Sequence, residues 1–238
     1  MIIFNKEVNK ENSACFLHIP KTGGKTLWNL LSKQQDDIFV WHNRFFKELQ
    51  KPISFFTMLR DPVDRVISYY YYLRRYERSS LYYKVKDMSL QEFVDYVQNE
   101  EIENKPYKKK DMRNIRYRNV NLATRYISGG DPEDLEKAKK NINNHFSFVG
   151  FTDMYVESLF FLKKIFDWEF SSIPKKNQTK NRPKLDEIPK EIIKSIEHVN
   201  QHDIELYKWA KKNFIKKIES IDTDTERELN EWINQFKN

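Results

Sequence analysis

Residues 18–27 read "HIPKTGGKTL". The stretch closes like the phosphate-cradling loop G-x-x-x-x-G-K-[ST], with Gly24, Lys25 and Thr26 in the last three places. It does not open like one, because Ile19 stands where the first glycine belongs. Before it, "ACFLHI" (14–19) is a short apolar run of strand formers; after it, "TLWNLLSKQ" has helical spacing. Strand, glycine-rich turn and helix therefore form the first unit. Such a turn aims successive backbone N–H groups and a helix N-terminus at one spot, which suits an anion. Lys21 and Lys25 add charge, the Thr22 and Thr26 hydroxyls add donors, and Gly23 and Gly24 admit close backbone approach.

Further along, "IFVW" (38–41), "ISFFTML" (53–59) and "FSFVGF" (146–151) read as buried strands. Asp61 and Pro62 have the chemistry of a helix cap and a first helical position, and "VDRVISYYYYLRRYER" continues as the helix. "SLQEFVDYVQ", "NLATRYISGG", "DLEKAKKNINN" and "YVESLFFLKKIFDW" read as further helices, as does the chain from "EIIKSIEHV" to "TERELNEWINQF". Apolar strands alternating with helices predict an α/β fold whose mostly parallel sheet is covered on both faces. With no internal repeat or low-complexity linker, 238 residues fit one domain, 1–238.

Lys and Arg number 42 against 35 Asp and Glu, a net +7, which favours anionic ligands without choosing among them. A single cysteine, Cys15, excludes an intrachain disulfide and a cysteine-cluster zinc site. "MIIFNKEVNKEN" is too short in apolar residues for a secretory leader, and no apolar run reaches the about 20 residues of a membrane span. These features lead to the expectation of a soluble, cytoplasmic protein without a transmembrane segment.

A second motif, "FTMLRDPVDRVISYYYYLRR" (56–75), sets Arg60 at a strand end and Ser68 eight residues on, nearly two helical turns in and able to face back. A guanidinium gives a phosphate two parallel hydrogen bonds and a hydroxyl adds a third. Alone, the same residues also fit an Arg60 salt bridge to Asp61 or Asp64, with Ser68 on the helix surface. Arg65 reads as a structural tie to neighbouring carboxylates.

Together "FLHIPKTGGKTL" and "FTMLRDPVDRVIS" resemble the two phosphate motifs of the sulfotransferase family that includes the heparan sulfate 2-O- and 6-O-sulfotransferases and bacterial relatives. In that family the first loop runs H-I-P-K-[TA]-G-G-T-S; Lys25-Thr26 is a departure here. "NVNLATRYISGG", "FSFVGFTDMYVESLFFLKKIFDW", "KKNQTKNRP" and "HDIELYKWAKKNF" are similar to its later segments, so the resemblance runs from Cys15 to Phe214.

The resemblance implies a P-loop-NTPase-like three-layer α/β/α fold with extra C-terminal helices, and 3'-phosphoadenosine 5'-phosphosulfate (PAPS) as co-substrate. It implies Lys21, Thr22, Gly23, Gly24, Lys25 and Thr26 at the 5'-phosphosulfate, Arg60 and Ser68 at the 3'-phosphate, and Thr179 and Lys180 as lid contacts. Transfer to an acceptor hydroxyl, on a glycan or glycolipid, would be a single in-line displacement needing no metal. Lys21 would face the leaving oxygen. Of five histidines, His42 follows the second strand, where parallel sheets put their active sites, and matches the family's general base although the usual preceding glycine is Trp41 here. His18 reads as an orienting or core residue.

Two rivals stand beside this. A P-loop kinase or triphosphatase would need a Mg²⁺-binding Asp at a strand end, where Arg60 precedes Asp61. A nucleic-acid binder would use "YKKKDMRNIRYR" (107–118), which reads better as a solvated or acceptor-side loop, so no nucleic-acid partner is expected.

Overall fold

The computed structural model describes residues 1–8, 11, 13–105, 111–173 and 182–237. Strands β1 (Ile2–Phe4), β2 (Ala14–His18), β3 (Ile38–His42), β4 (Ser54–Leu59) and β5 (Phe146–Phe151) form one sheet in the order β1-β3-β2-β4-β5. Every pairing is parallel. β2 is buried at all five positions and β3 at its first four. That is why both are written as unbroken apolar runs rather than alternating ones. β1 is an edge strand that the sequence pattern did not announce: three residues are too few to show a period.

Helix α1 (Gly24–Leu31) carries the chain from β2 to β3, and α2 (Pro62–Leu73) follows β4. Asp61 caps α2 by accepting from Asp64 N at 2.9 Å, and Pro62 takes a first-turn position that lacks an N–H partner anyway. The helix stops at Leu73, short of the predicted run to Arg78. Between α2 and β5 lie α3 (Tyr82–Val85), α4 (Leu90–Gln98), α5 (Asn114–Tyr117), α6 (Leu122–Ser128) and α7 (Leu135–His145). After β5 come α8 (Tyr155–Phe166), a 3-10 turn (Leu185–Glu187), α9 (Lys190–His198), α10 (Gln201–Glu219) and α11 (Thr223–Lys237). Ser89 and Glu92 cap α4 reciprocally.

One apolar cluster joins the sheet to α1, α8, α10 and α11; another is built from α2, α4 and α9. Their elements are stitched by buried polar groups. Asp203 of α10 accepts from Ala123 N at 3.0 Å, Thr124 N at 2.8 Å and Thr124 Oγ1 at 2.9 Å, supplying the N-terminal cap that α6 lacks locally. Arg65 of α2, fully buried, donates to the carbonyls of Arg118 and Asn119 at 3.0 and 2.9 Å. It is structural, as expected, but its partners are backbone carbonyls and not carboxylates. From β2 the chain moves to one side of the sheet, and from β4 to the other. The gap between those two strand ends is the switch point where open α/β sheets hold ligands.

Candidate active site

The loop after β2 turns twice into left-handed backbone, at Lys21 (φ 73°) and Gly23 (φ 78°). Thr26 N and Leu27 N close on Gly23 O at 3.1 and 3.2 Å. The N–H groups of Thr22, Gly23, Gly24 and Lys25 find no acceptor among the described residues. Unpaired N–H groups gathered in such a turn make an anion-binding concavity. The Thr22 hydroxyl, buried, donates to Ile19 O at 2.8 Å and closes the turn. Lys25 is exposed and Thr26 half-buried at the start of α1.

Gly24 has a reason that the sequence did not display. A Cβ there would stand 2.0 Å from Cδ2 and Nε2 of His18, so the glycine makes room for an imidazole as well as for a ligand. Gly24→Ala is expected to cost about 1–3 kcal/mol by overpacking. At about 2–4 °C per kcal/mol for a chain of this size, calorimetry should record a Tm lower by roughly 2–12 °C.

Arg60 joins the two motifs. Its Nη1 donates to Lys21 O at 3.1 Å and to Ser68 Oγ at 2.9 Å, while Nε pairs with Asp64. Arg60 is thus a salt-bridge partner of Asp64 and also faces the loop with Ser68, which is buried rather than on the helix surface. Its Nη2 has no partner among the described residues. Asp64 also binds Arg182. Burial would raise the Asp64 pKa, but Arg60 and Arg182 outweigh it and hold the carboxyl below its usual range.

The Lys21 ammonium lies 4.5 Å above the Tyr72 ring. Burial, and after it the cations Arg60, Arg75 and Arg182, bring its pKa down to about 8. A mostly buried ammonium that has no carboxylate partner among the described residues, beside three guanidinium groups, is an environment that an anion would relieve.

On the other side of the loop, strand register sets His18 beside His42. Their Nδ1 atoms are 2.6 Å apart, and the rings stack at 4.7 Å with 16° between planes. Trp28 of α1 stands edge-on to both, at 4.8 and 5.3 Å. The backbone N–H of His42 donates to Asn5 Oδ1 at 2.7 Å, tying the strand end down. Burial first, then His42 and Lys21, push the His18 pKa down to about 3. Burial and Arg118 also lower that of His42. Both rings are neutral near pH 7, the state a base requires before it acts.

Residues 7–210 match the family model described as the sulfotransferase family. The chain belongs to the sulfotransferase family. It is similar to the human heparan-sulfate 6-O-sulfotransferase 2, 29% identical over 192 residues that cover 69% of this chain and 30% of that protein. The mouse protein of the same name gives the same figures. The chain thus spans less than a third of the length of these relatives. The cytoplasmic location expected from the sequence is overturned by this likeness to heparan-sulfate sulfotransferases. No helix of the described residues is long and apolar enough to cross a membrane.

In this family member the loop, Arg60, Ser68, Lys21 and His42 gather around the ends of β2, β3 and β4. Thr179 and Lys180 lie outside the described residues, as do residues 107–110 of the basic stretch; Asn114–Tyr117 within it forms one helical turn rather than loop. Sequence reasoning missed Asp64 and Arg182 as a linked pair, although Asp64 sits one helical turn from Arg60 and Arg182 two residues beyond Lys180. It also missed Arg118, whose signal lies only in the buried Arg65 that holds its carbonyl.

Proposed function

We propose that this sulfotransferase moves the sulfuryl group of PAPS onto a hydroxyl of a glycan, using the chain 1–238 as one catalytic domain. The observation that carries the reading is the Arg60 guanidinium, which bonds the Lys21 carbonyl of one motif and the Ser68 hydroxyl of the other. A ligand with phosphates on the 3' and 5' oxygens of one ribose fits a site in which two anion-binding motifs touch. The unpaired N–H groups from Thr22 to Lys25, with Lys25 and the Thr26 hydroxyl, would hold the 5'-phosphosulfate. Arg60, through its free Nη2, and Ser68 would hold the 3'-phosphate, and Thr179 and Lys180 would close over the nucleotide.

In the step itself, His42 takes the proton of the acceptor hydroxyl as its oxygen bonds to sulfur. The bond from sulfur to the 5'-phosphate oxygen breaks, and Lys21 meets the charge that gathers there. A sulfated acceptor and adenosine 3',5'-bisphosphate leave. A glycan acceptor is supported by the relatives, whose names specify heparan sulfate. The kinase reading is disfavoured by the end of β4, which places Arg60 where a Mg²⁺-binding carboxylate would be needed.

The test is transfer from labelled PAPS to a panel of polysaccharides, glycolipids and small phenols. Alongside it, adenosine 3',5'-bisphosphate should raise the Tm without Mg²⁺; stabilisation by ATP with Mg²⁺ alone would favour the kinase. Lys21 also predicts a pH dependence. Its ammonium is intact below about pH 8 and is lost above it, whereas a bound phosphate would raise its pKa. Affinity for adenosine 3',5'-bisphosphate should therefore be full below about pH 8 and fall at up to about tenfold per pH unit above it. Calorimetric titration across that range checks this, and Lys21→Arg, charged throughout, should flatten the curve.

A further inference from the structure

Two imidazole nitrogens 2.6 Å apart cannot both carry a proton, so one of His18 and His42 donates and the other accepts. The pair is built rather than incidental. Adjacent positions in the β2–β3 register place the residues, the ring planes lie within 16° so that an in-plane N–H and lone pair can meet, Trp28 walls both, and Gly24 gives up its Cβ to seat His18. His18 is buried, whereas His42, the last residue of β3, is half-buried. We propose that His18 is a positioning residue for His42: its Nδ1 accepts the Nδ1–H of His42, leaving the Nε2 lone pair of His42 to face the acceptor hydroxyl. This rests on the sulfuryl-transfer reading for its purpose, but the hydrogen bond itself does not.

Proton bookkeeping favours this arrangement. When His42 gains the acceptor proton at Nε2, both its nitrogens carry N–H, and Nδ1 then needs an acceptor. With His18 already accepting, the imidazolium forms without any group turning. In the reverse arrangement two N–H groups would meet, and the base would start with a proton on the wrong nitrogen. His18 stays neutral through the working range because burial, His42 and Lys21 all oppose its charging. The groups that face the pair are Lys21 and Trp28 beside His18, with Arg118 and Asn5 beside His42. Among these described neighbours there is no carboxylate, so the acceptor role falls to the second imidazole.

The test reads the tautomers first. Nitrogen-15 histidine NMR of the full chain with adenosine 3',5'-bisphosphate bound should show His42 protonated at Nδ1 only and His18 at Nε2 only, with peaks assigned by His42→Ala and His18→Asn. His42 protonated at Nε2 only would overturn the proposal, whether or not PAPS is turned over. If the wild type binds no nucleotide or transfers no sulfuryl group, the functional reading fails while the spectrum of the free protein still decides the pairing. In activity, His18→Phe keeps a stacked ring without a nitrogen and should lower kcat about tenfold to a hundredfold, with KM for PAPS little changed and the acid limb of the pH profile moved to lower pH. His18→Asn, whose Oδ1 can accept near the same place, should restore most of kcat. Should His18→Phe fail to fold, the Asn variant and the wild-type spectrum still decide. An unchanged kcat and pH profile in folded His18→Phe would sink the role.

Discussion

Arg60→Ala is expected to weaken adenosine 3',5'-bisphosphate binding by about 30-fold to a few thousandfold, measured by calorimetric titration. Truncating one partner of a buried, hydrogen-bonded charge contact costs about 2–5 kcal/mol, and each 1.4 kcal/mol is about tenfold in Kd. Two losses add here. The ligand loses a planar two-pronged donor, and the loop loses the bond that ties Lys21 O to Ser68. Arg60→Lys should recover only part, because one ammonium cannot serve the loop carbonyl, Ser68 and a phosphate together. The fold should survive either change: Asp64 keeps Arg182, and the Asp61 cap of α2 does not involve Arg60. Binding of the alanine variant within about threefold of wild type would remove Arg60 from the nucleotide site.

The parts of this site that could be read in advance are those written into contiguous residues. β2, β3 and most of β4 are near-continuous apolar runs because both faces of a parallel sheet are covered, β5 at the edge is mixed, and Asp61-Pro62 marks the start of α2 by local capping chemistry. The sequence between β2 and α1 concentrates lysine, threonine and glycine within seven residues, so the expectation of an anion site there rests on contiguous residues too. The loop's internal division of labour does not. Whether a threonine hydroxyl faces outward or closes the turn depends on where the carbonyl three residues back points, and Thr22 closes it.

What stayed hidden was carried by pairings between distant residues. Arg182 reaches Asp64 across 118 positions, Asp203 caps α6 across about 80, and His18 meets His42 only because β2 and β3 pair in one register and not another. A slip of one residue in that register would turn His42 to the opposite face of the sheet. Arg65 shows the same limit in a milder form. It reads from the sequence as a structural tie to carboxylates, but its partners are main-chain carbonyls, which any sequence supplies and none advertises. Through them Arg65 sets the position of Arg118, and Arg118 helps keep His42 neutral.

His42→Ala should lower turnover of PAPS by about 10²–10⁴-fold, the span a general base contributes, while leaving adenosine 3',5'-bisphosphate affinity near that of the wild type. The split follows from position: His42 ends β3, whereas the phosphate donors sit on the loop after β2 and at the end of β4. The same residue shapes the pH profile of kcat/KM. Burial and Arg118 hold its pKa below the ordinary histidine value, so the acid limb should lie below about pH 6.5. Activity rises as His42 loses its proton and falls again as Lys21 loses its own near pH 8, giving a bell. In His42→Ala the acid limb should vanish and the alkaline limb remain, because Lys21 is untouched. Turnover within about tenfold of wild type, or an unchanged acid limb, would assign the proton to another group.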